Sequence, residues 1–306
     1  MKVSLICTVK DAASHIEEFL GSVAAQTRAP DDVIVVDGGS TDGTVDLLRR
    51  AEGLTLIEER GANIARGRNL AIAAAAHDVI AVSDADCMLD PAWLERIVAP
   101  VEAGADVSMG FYQPVTDGFF QECLASVNLP IGPDEVDPAT FMPSARSVAF
   151  RRGAIESAGG YPEWLDIGED MWVNHRWREL RLDMRFVPDA TVRWRLRPTM
   201  RATWVQYFRY ARGDAQAGMH PERHALRYGV YAGLGAAVVS RRRWLGVAVA
   251  VSATAYARTP VRRAWRRLPG MRERVLATVT VPALMGWIDT AKIAGYAAGL
   301  VDRTRR

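Results

Sequence analysis

Val79-Ile80-Ala81-Val82 runs directly into Ser83-Asp84-Ala85-Asp86, placing two carboxylates one residue apart after an apolar strand-like run. Such a pair can hold a nucleoside diphosphate, with one carboxylate accepting ribose hydroxyls and the other ligating Mg²⁺ or Mn²⁺ that bridges the phosphates. Alone, the pair is equally an ordinary strand-end solubiliser, so the chemistry depends on its company. That company is Val35-Val36-Asp37-Gly38-Gly39-Ser40-Thr41-Asp42-Gly43-Thr44, Arg66-Gly67-Arg68-Asn69 and Gly168-Glu169-Asp170. By residue type, the first is also compatible with a turn capped at Thr41 or Asp42, and Asp170 with a helix cap.

The elements that must position these residues follow from the apolar pattern. Val3 to Val9 reads as a strand, and Ile16, Phe19, Leu20 and Val23 recur at helical spacing. Val33-Ile34-Val35-Val36 is a buried-strand run, Val45, Leu47 and Leu48 begin a helix, and Leu54 to Ile57 is a third strand. Asn63 caps a helix through Ala76, which leads to the strand Val79 to Val82. Strands that are apolar throughout and alternate with helices predict an α/β fold with a mostly parallel, doubly wound sheet. Ligands of such sheets sit at the C-terminal strand ends, here Lys10 and Asp11, Asp37 to Asp42, and Asp84 to Asp86. Asp90-Pro91 predicts an N-cap with proline at the first helical position, opening a helix over Ala92 to Ala103. Residues 110–146 are broken by prolines and glycines and read as loop. Order returns with a strand from Val148 to Phe150, a short helix, a turn at Gly159-Gly160-Tyr161-Pro162 and a helix from about Asp170 to Leu180.

Taken together, the quoted segments resemble the family 2 glycosyltransferases of the GT-A fold group, over roughly residues 3–215. The resemblance implies that Asp37 contacts the base or ribose of the donor, that Asp84 meets the ribose, and that Asp86 binds the divalent metal, Mg²⁺ or Mn²⁺. It adds Thr8, Asp11 and Arg68 to the donor contacts. Asp170 is implied as the base that deprotonates the acceptor hydroxyl, with Glu169 beside the acceptor. Gln206-Tyr207-Phe208-Arg209-Tyr210-Ala211-Arg212-Gly213 resembles the QxxRW segment of membrane-embedded members, with Tyr210 in place of Trp. There Gln206, Arg209 and Arg212 would hold the donor's pyrophosphate and Tyr210 would stack on the acceptor sugar. The residues alone also allow an amphipathic helix with Trp204, Tyr207 and Phe208 as core. Two departures stand out: many relatives carry Asn-Glu at Asp11-Ala12 and Asp-Asp at Asp37-Gly38. The implied activity is inverting, metal-dependent transfer from a nucleotide diphosphate sugar, UDP-linked or else GDP-linked, to a hydroxyl of a lipid-linked or polysaccharide acceptor.

Composition bounds the alternatives. With 306 residues and 49% apolar content the chain buries a large core. Residues 1–150 carry 10 basic and 23 acidic side chains, net −13, and residues 151–306 carry 28 and 13, net +15. The basic half therefore points to an anionic partner. Cys7, Cys87 and Cys123 form no disulfide or zinc pattern, which fits a reducing cytosol, and the five histidines show no ligand spacing. The N-terminus reads as a strand, not a signal peptide. The catalytic unit is assigned to residues 1–220 and a basic, apolar helical region to residues 221–306. Residues 223–306 hold 16 basic and 3 acidic side chains among apolar runs of 11, 13 and 14 residues, each short of the roughly 20 needed to cross a bilayer. A short hairpin or interfacial helices on an anionic membrane surface is expected, placing the enzyme on the cytoplasmic face of the cell membrane. A soluble helical appendage or a dimer interface is the alternative, as is a last run extended to Val301 as a span. No nucleic-acid reader motif appears. A nucleotidyltransferase lacks its Gly-rich basic loop here, and no GxGxxG follows the first strand for a Rossmann dehydrogenase. A silent nucleotide-sugar sensor would not need Asp84, Asp86 and Asp170 together.

Overall fold

Val3, Leu5 and Ile6 are wholly buried in the central strand β1 (Val3–Val9), whose unbroken apolar run suits a strand covered on both faces. In the computed structural model, which describes residues 1–240 and 243–305, β1 pairs in parallel with β2 (Asp32–Asp37) and β4 (Val79–Val82). Strand β2 pairs in parallel with β3 (Thr55–Glu58). Helices α1 (Ile16–Ala24), α2 (Thr44–Arg50) and α3 (Ile64–Ala74) make the crossovers, as the alternating pattern predicts. Asn63 caps α3, its side chain accepting from the Arg66 backbone N–H at 2.9 Å. At Gly67, α3 lies so close to β1 that an added Cβ would sit 2.9 Å from Thr8 Cγ2.

The sheet is mixed, which corrects the expectation of a mostly parallel one. Its order is β3-β2-β1-β4-β7-β6-β8-β5, with β7 (Val148–Arg151) antiparallel to both β4 and β6 (Val107–Val115). Strand β5 (Cys87–Leu89) pairs antiparallel with β8 (Met184–Arg195). Helix α4 (Trp93–Glu102) starts later than the Asp90-Pro91 pattern predicts. Ala92 holds its N-cap position, while the Asp90 carbonyl accepts from the Trp93 N–H at 2.8 Å. Helices α5 (Gly118–Asn128), α6 (Arg152–Ser157) and α7 (Glu169–Glu179) follow. The core beneath the site joins Ile6, Ile34, Val36, Ile80 and Val82 to Phe150 and Trp177. Those two rings lie 5.4 Å apart, and Trp177 Nε1 donates to the Ala154 carbonyl at 2.9 Å.

By packing, the chain divides into residues 1–113 with 132–195, and residues 114–131 with 196–306. The second unit is helical: α5 joins α8 (Met200–Ala217), α9 (Pro221–Ser240), α10 (Arg243–Arg267) and α11 (Met271–Thr304). The tail, expected as a short helical hairpin or interfacial helices, forms helices of 20, 25 and 34 residues. Arginine is a good helix former, so Arg258 to Arg267 continue α10 beyond the apolar run that ends at Ala257. Arg241 and Arg242 lie outside the described residues. Among the described residues no helix is long and apolar enough to cross a membrane. Helices α8 and α11 approach at Gly295 and Gly299, where a Cβ would run into the carbonyl oxygens of Phe208 and Arg212. Asp289 pairs with Arg227 at 2.7 Å rather than with Lys292, its i+3 neighbour.

Candidate active site

The loops that follow β1 and β2 are stitched together by short polar side chains. Asp37, 2% exposed, accepts from the Gly39 and Ser40 N–H groups at 2.8 and 2.9 Å through Oδ1, and from the Ser40 hydroxyl through Oδ2. Across the gap, the Asp11 N–H donates to Ser40 Oγ at 2.8 Å and Asp11 Oδ1 accepts from the Thr41 N–H at 2.9 Å. Ala12 and Ala13 donate to Thr44 Oγ1 and Asp42 Oδ2 at 2.8 and 3.0 Å. Asp11 adopts a φ of 51°, a left-handed conformation that Asp tolerates better than most residues. Beside these loops, Thr8 Oγ1 is buried with no hydrogen-bond partner among the described residues.

Arg68 reaches from α3 to the end of β4. Its guanidinium is 2% exposed and donates to Asp84 Oδ1 at 2.9 Å and, from its other arm, to Glu169 Oε1. It also lies 5.3 Å from the centre of the buried Tyr161 ring. Burial opposes the charge on Arg68, but the two carboxylates outweigh it and hold the group above the usual arginine value. Arg68 is therefore an internal clasp, a tighter role than a basic residue near the donor. Asp86 has a different environment: Oδ2 accepts from Trp194 Nε1 at 3.1 Å, and no cation pairs with it within 4 Å among the described residues.

Glu169 and Asp170 open α7, after Gly168 turns the chain with a φ of 86°. Glu169 is 3% exposed. Burial, opposed by Arg68 and reinforced by the charge of Asp170, pushes its carboxyl up to about 7. Asp170 is held by the backbone, its Oδ1 accepting from the Met171 N–H at 2.8 Å and its Oδ2 from the Ala145 N–H at 3.4 Å. It lines a crevice with Ser144, Ala145, Tyr161 and Asn174.

Arg146, Tyr112 and Trp194 belong to this site and were not singled out from the sequence. The Arg146 guanidinium lies 4.1 Å from the Trp194 ring centre and 5.9 Å from that of Tyr112, and its Nε stands 3.9 Å from Asp84 Oδ2. Arg146 comes from the irregular 110–146 stretch, and Trp194 from a strand that periodicity did not reveal. The alternation in Thr191-Val192-Arg193-Trp194-Arg195 was the available signal.

Gln206, Arg209, Tyr210 and Arg212 all lie on α8 of the helical unit. Gln206 Nε2 donates to the Tyr210 hydroxyl at 2.9 Å, and Arg212 Nε donates to Asp302 at 2.5 Å. Arg209 is exposed. Trp204 and Phe208 stack at 5.2 Å on the same helix.

The donor set suits a divalent cation shared with substrate. Among the described residues no group of three or more His, Cys, Asp and Glu side chains could hold a metal ion alone. Mg²⁺ and similar ions at phosphate sites need only one or two carboxylates, because the substrate's phosphates complete the shell. Asp86, with no cation paired to it within 4 Å among the described residues, fits that need better than Asp84, which Arg68 holds.

A sequence profile for glycosyl transferase family 2 matches residues 4–158, just over half of the chain. The O-antigen chain rhamnosyltransferase RfbN of Salmonella typhimurium is 26% identical over 223 residues, covering 68% of this chain and 71% of that protein. Glycosyltransferase AglE of Haloferax volcanii is 27% identical over 236 residues, covering 71% and 74%. Among solved structures, the mannosyltransferase PcManGT of Pyrobaculum calidifontis, in complex with GDP-Man and Mn²⁺, aligns with a TM-score of 0.58 and 21% identity over 99% of this chain and 88% of that one. Residues 1–349 of S. aureus TarS, in complex with UDP, align with a TM-score of 0.52 and 16% identity over 100% and 92%.

Proposed function

From the premise that the chain belongs to glycosyl transferase family 2, we propose that this glycosyltransferase moves a sugar, with inversion, from a nucleoside diphosphate to an acceptor hydroxyl. The favoured donor is UDP-linked and the alternative GDP-linked; the TarS complex with UDP and the PcManGT complex with GDP-Man support a diphosphate donor on a GT-A-like fold. The acceptor is lipid-linked or a glycan, in keeping with the rhamnosyltransferase of O-antigen chains among the relatives.

The observation that carries this reading is the Arg68 clasp. It fastens the strand-end Asp84, 16 residues away, to Glu169, 101 residues away, so that the donor motif and the acceptor motif share one buried cation. Asp11 and Asp37 shape the loops that flank the donor's base and ribose, where Thr8 Oγ1 offers an unused polar atom. Asp84 meets the ribose through the oxygen that Arg68 leaves open. Asp86 would hold Mg²⁺ or Mn²⁺, which when bound would supply positive charge against the leaving diphosphate. Asp170 takes the acceptor's proton as that oxygen bonds to the anomeric carbon and the bond from that carbon to the diphosphate oxygen breaks on the opposite face. The basic helical unit rests on the cytoplasmic membrane surface, supported by exposed Leu226, Val230, Trp244, Val247 and Val251.

Asp170→Asn tests the base assignment. Transfer should fall by about 10²–10⁴-fold with donor affinity intact. Near-normal transfer with donor still bound would overturn it.

A further inference from the structure

A cavity of about 240 Å³ opens among α5, α10 and α11 in the helical unit, and the strand-end aspartates contribute nothing to it. Its wall carries the cations Arg263 and Lys292 and the amide of Asn128, set against the apolar side chains of Met285 and Ile288. The carboxylate in the wall, Asp289, is only 6% exposed and is turned to other uses. Its Oδ1 accepts from Arg227 Nε at 2.7 Å and its Oδ2 from the Tyr231 hydroxyl at 3.3 Å. Asp289 is thus neutralised from within the protein.

Lys292 is not. Its ammonium lies 5.0 Å from the centre of the Tyr207 ring, and among the described residues no carboxylate pairs with it within 4 Å. Burial, with the positive charge of Arg227 adding to it, holds Lys292 below the usual lysine value. Lys292 is half-buried and has no carboxylate within 4 Å among the described residues, the charges of Asp289 and Asp214 acting on it from farther off, so an anion in the cavity would complete its pairing.

The cavity also limits the anion. Sites for drug-sized ligands measure about 300–1,000 Å³, so this one suits a charged head group with its adjoining carbons rather than a whole nucleotide sugar. A guanidinium and an ammonium lining one cavity suit the several charged oxygens of a phosphate. Met285 and Ile288 provide contact for hydrocarbon attached to it.

We propose that this cavity is a binding site for a phosphate ester, held by Lys292 and Arg263, with no residue in common with the proposed transfer site. The ester is either carried on a lipid or a soluble phosphoryl compound.

Calorimetry on the full chain with octyl phosphate, inorganic phosphate and octanol tests this. Octyl phosphate should bind and octanol should not. Lys292→Gln and Arg263→Gln should each weaken octyl phosphate binding at least tenfold, with circular dichroism showing retained helix. If Lys292→Gln does not fold, Arg263→Gln decides by itself. Asp86→Asn should leave this affinity unchanged, because Asp86 lies outside the cavity. Tenfold tighter binding of octyl phosphate than of inorganic phosphate supports a lipid-borne ester, and equal binding a soluble one. Octyl phosphate affinity that is undiminished in both cavity variants, that is lost in Asp86→Asn, or that is matched by octanol would overturn the proposal, as would absence of binding by both phosphates.

Discussion

Arg68 and Asp84 are joined at 2.9 Å by a guanidinium whose other arm holds Glu169, so one buried cation answers two carboxylates from distant parts of the chain. Removing one member of a buried ionic cluster leaves the others in a dry site without compensation. Arg68→Met is expected to destabilise the fold by about 3–5 kcal/mol, measured by urea unfolding. Lysine at this position supplies one compact point charge, so Arg68→Lys should recover only part of the loss. A Met variant as stable as the parent would show that the clasp contributes little.

Glu169 gives the fold a pH dependence of definite sign. Its carboxyl is raised from 4.5 to about 7 in the folded protein, chiefly by burial. Between those values the folded state binds a proton that the unfolded state releases, so this group's contribution is fully present below about 4.5 and is lost as pH rises through about 7. Glu169→Gln carries no such proton. Unfolding free energies measured from pH 5 to 7.5 should decline more steeply in the parent than in the variant, and parallel curves would contradict the assignment.

Much of the donor half was legible in the sequence, because its strands are apolar on both faces and its aspartates fall at their ends. Val79 to Val82 and Asn63 as a cap appear where the pattern puts them. The antiparallel half was hidden for a physical reason. Strand β5 has three residues, too few for periodicity, and β8 alternates cleanly between buried and exposed residues only over its last four, Val192 to Arg195. Arg146 and Trp194 stand beside Asp84 and Asp86 through that half, so the sequence reading missed them with it. Arg68 was recognised by type and place, but only the fold shows its charge turned inward between Asp84 and Glu169. The tail was legible as helical, and its helices outrun the apolar runs because arginines such as Arg258 and Arg262 continue α10.

Trp194 orients the carboxylate assigned to the metal, donating its indole N–H to Asp86 Oδ2 at 3.1 Å. Trp194→Phe keeps a ring beneath Arg146 and deletes that donor. Groups that orient a metal ligand are typically worth about 10–100-fold in metal affinity, and a rise of that size is expected in the Mn²⁺ concentration needed for donor binding. An unchanged Mn²⁺ requirement would remove Trp194 from the site's working parts.

The central claim is that Asp84 and Asp86 bind a nucleoside diphosphate together with a divalent ion, and calorimetry of UDP and GDP with and without Mn²⁺ tests it most directly. The account predicts binding of UDP, or else GDP, that depends on Mn²⁺ and weakens at least tenfold in Asp86→Asn. Absence of binding by both nucleotides under any divalent metal would contradict it.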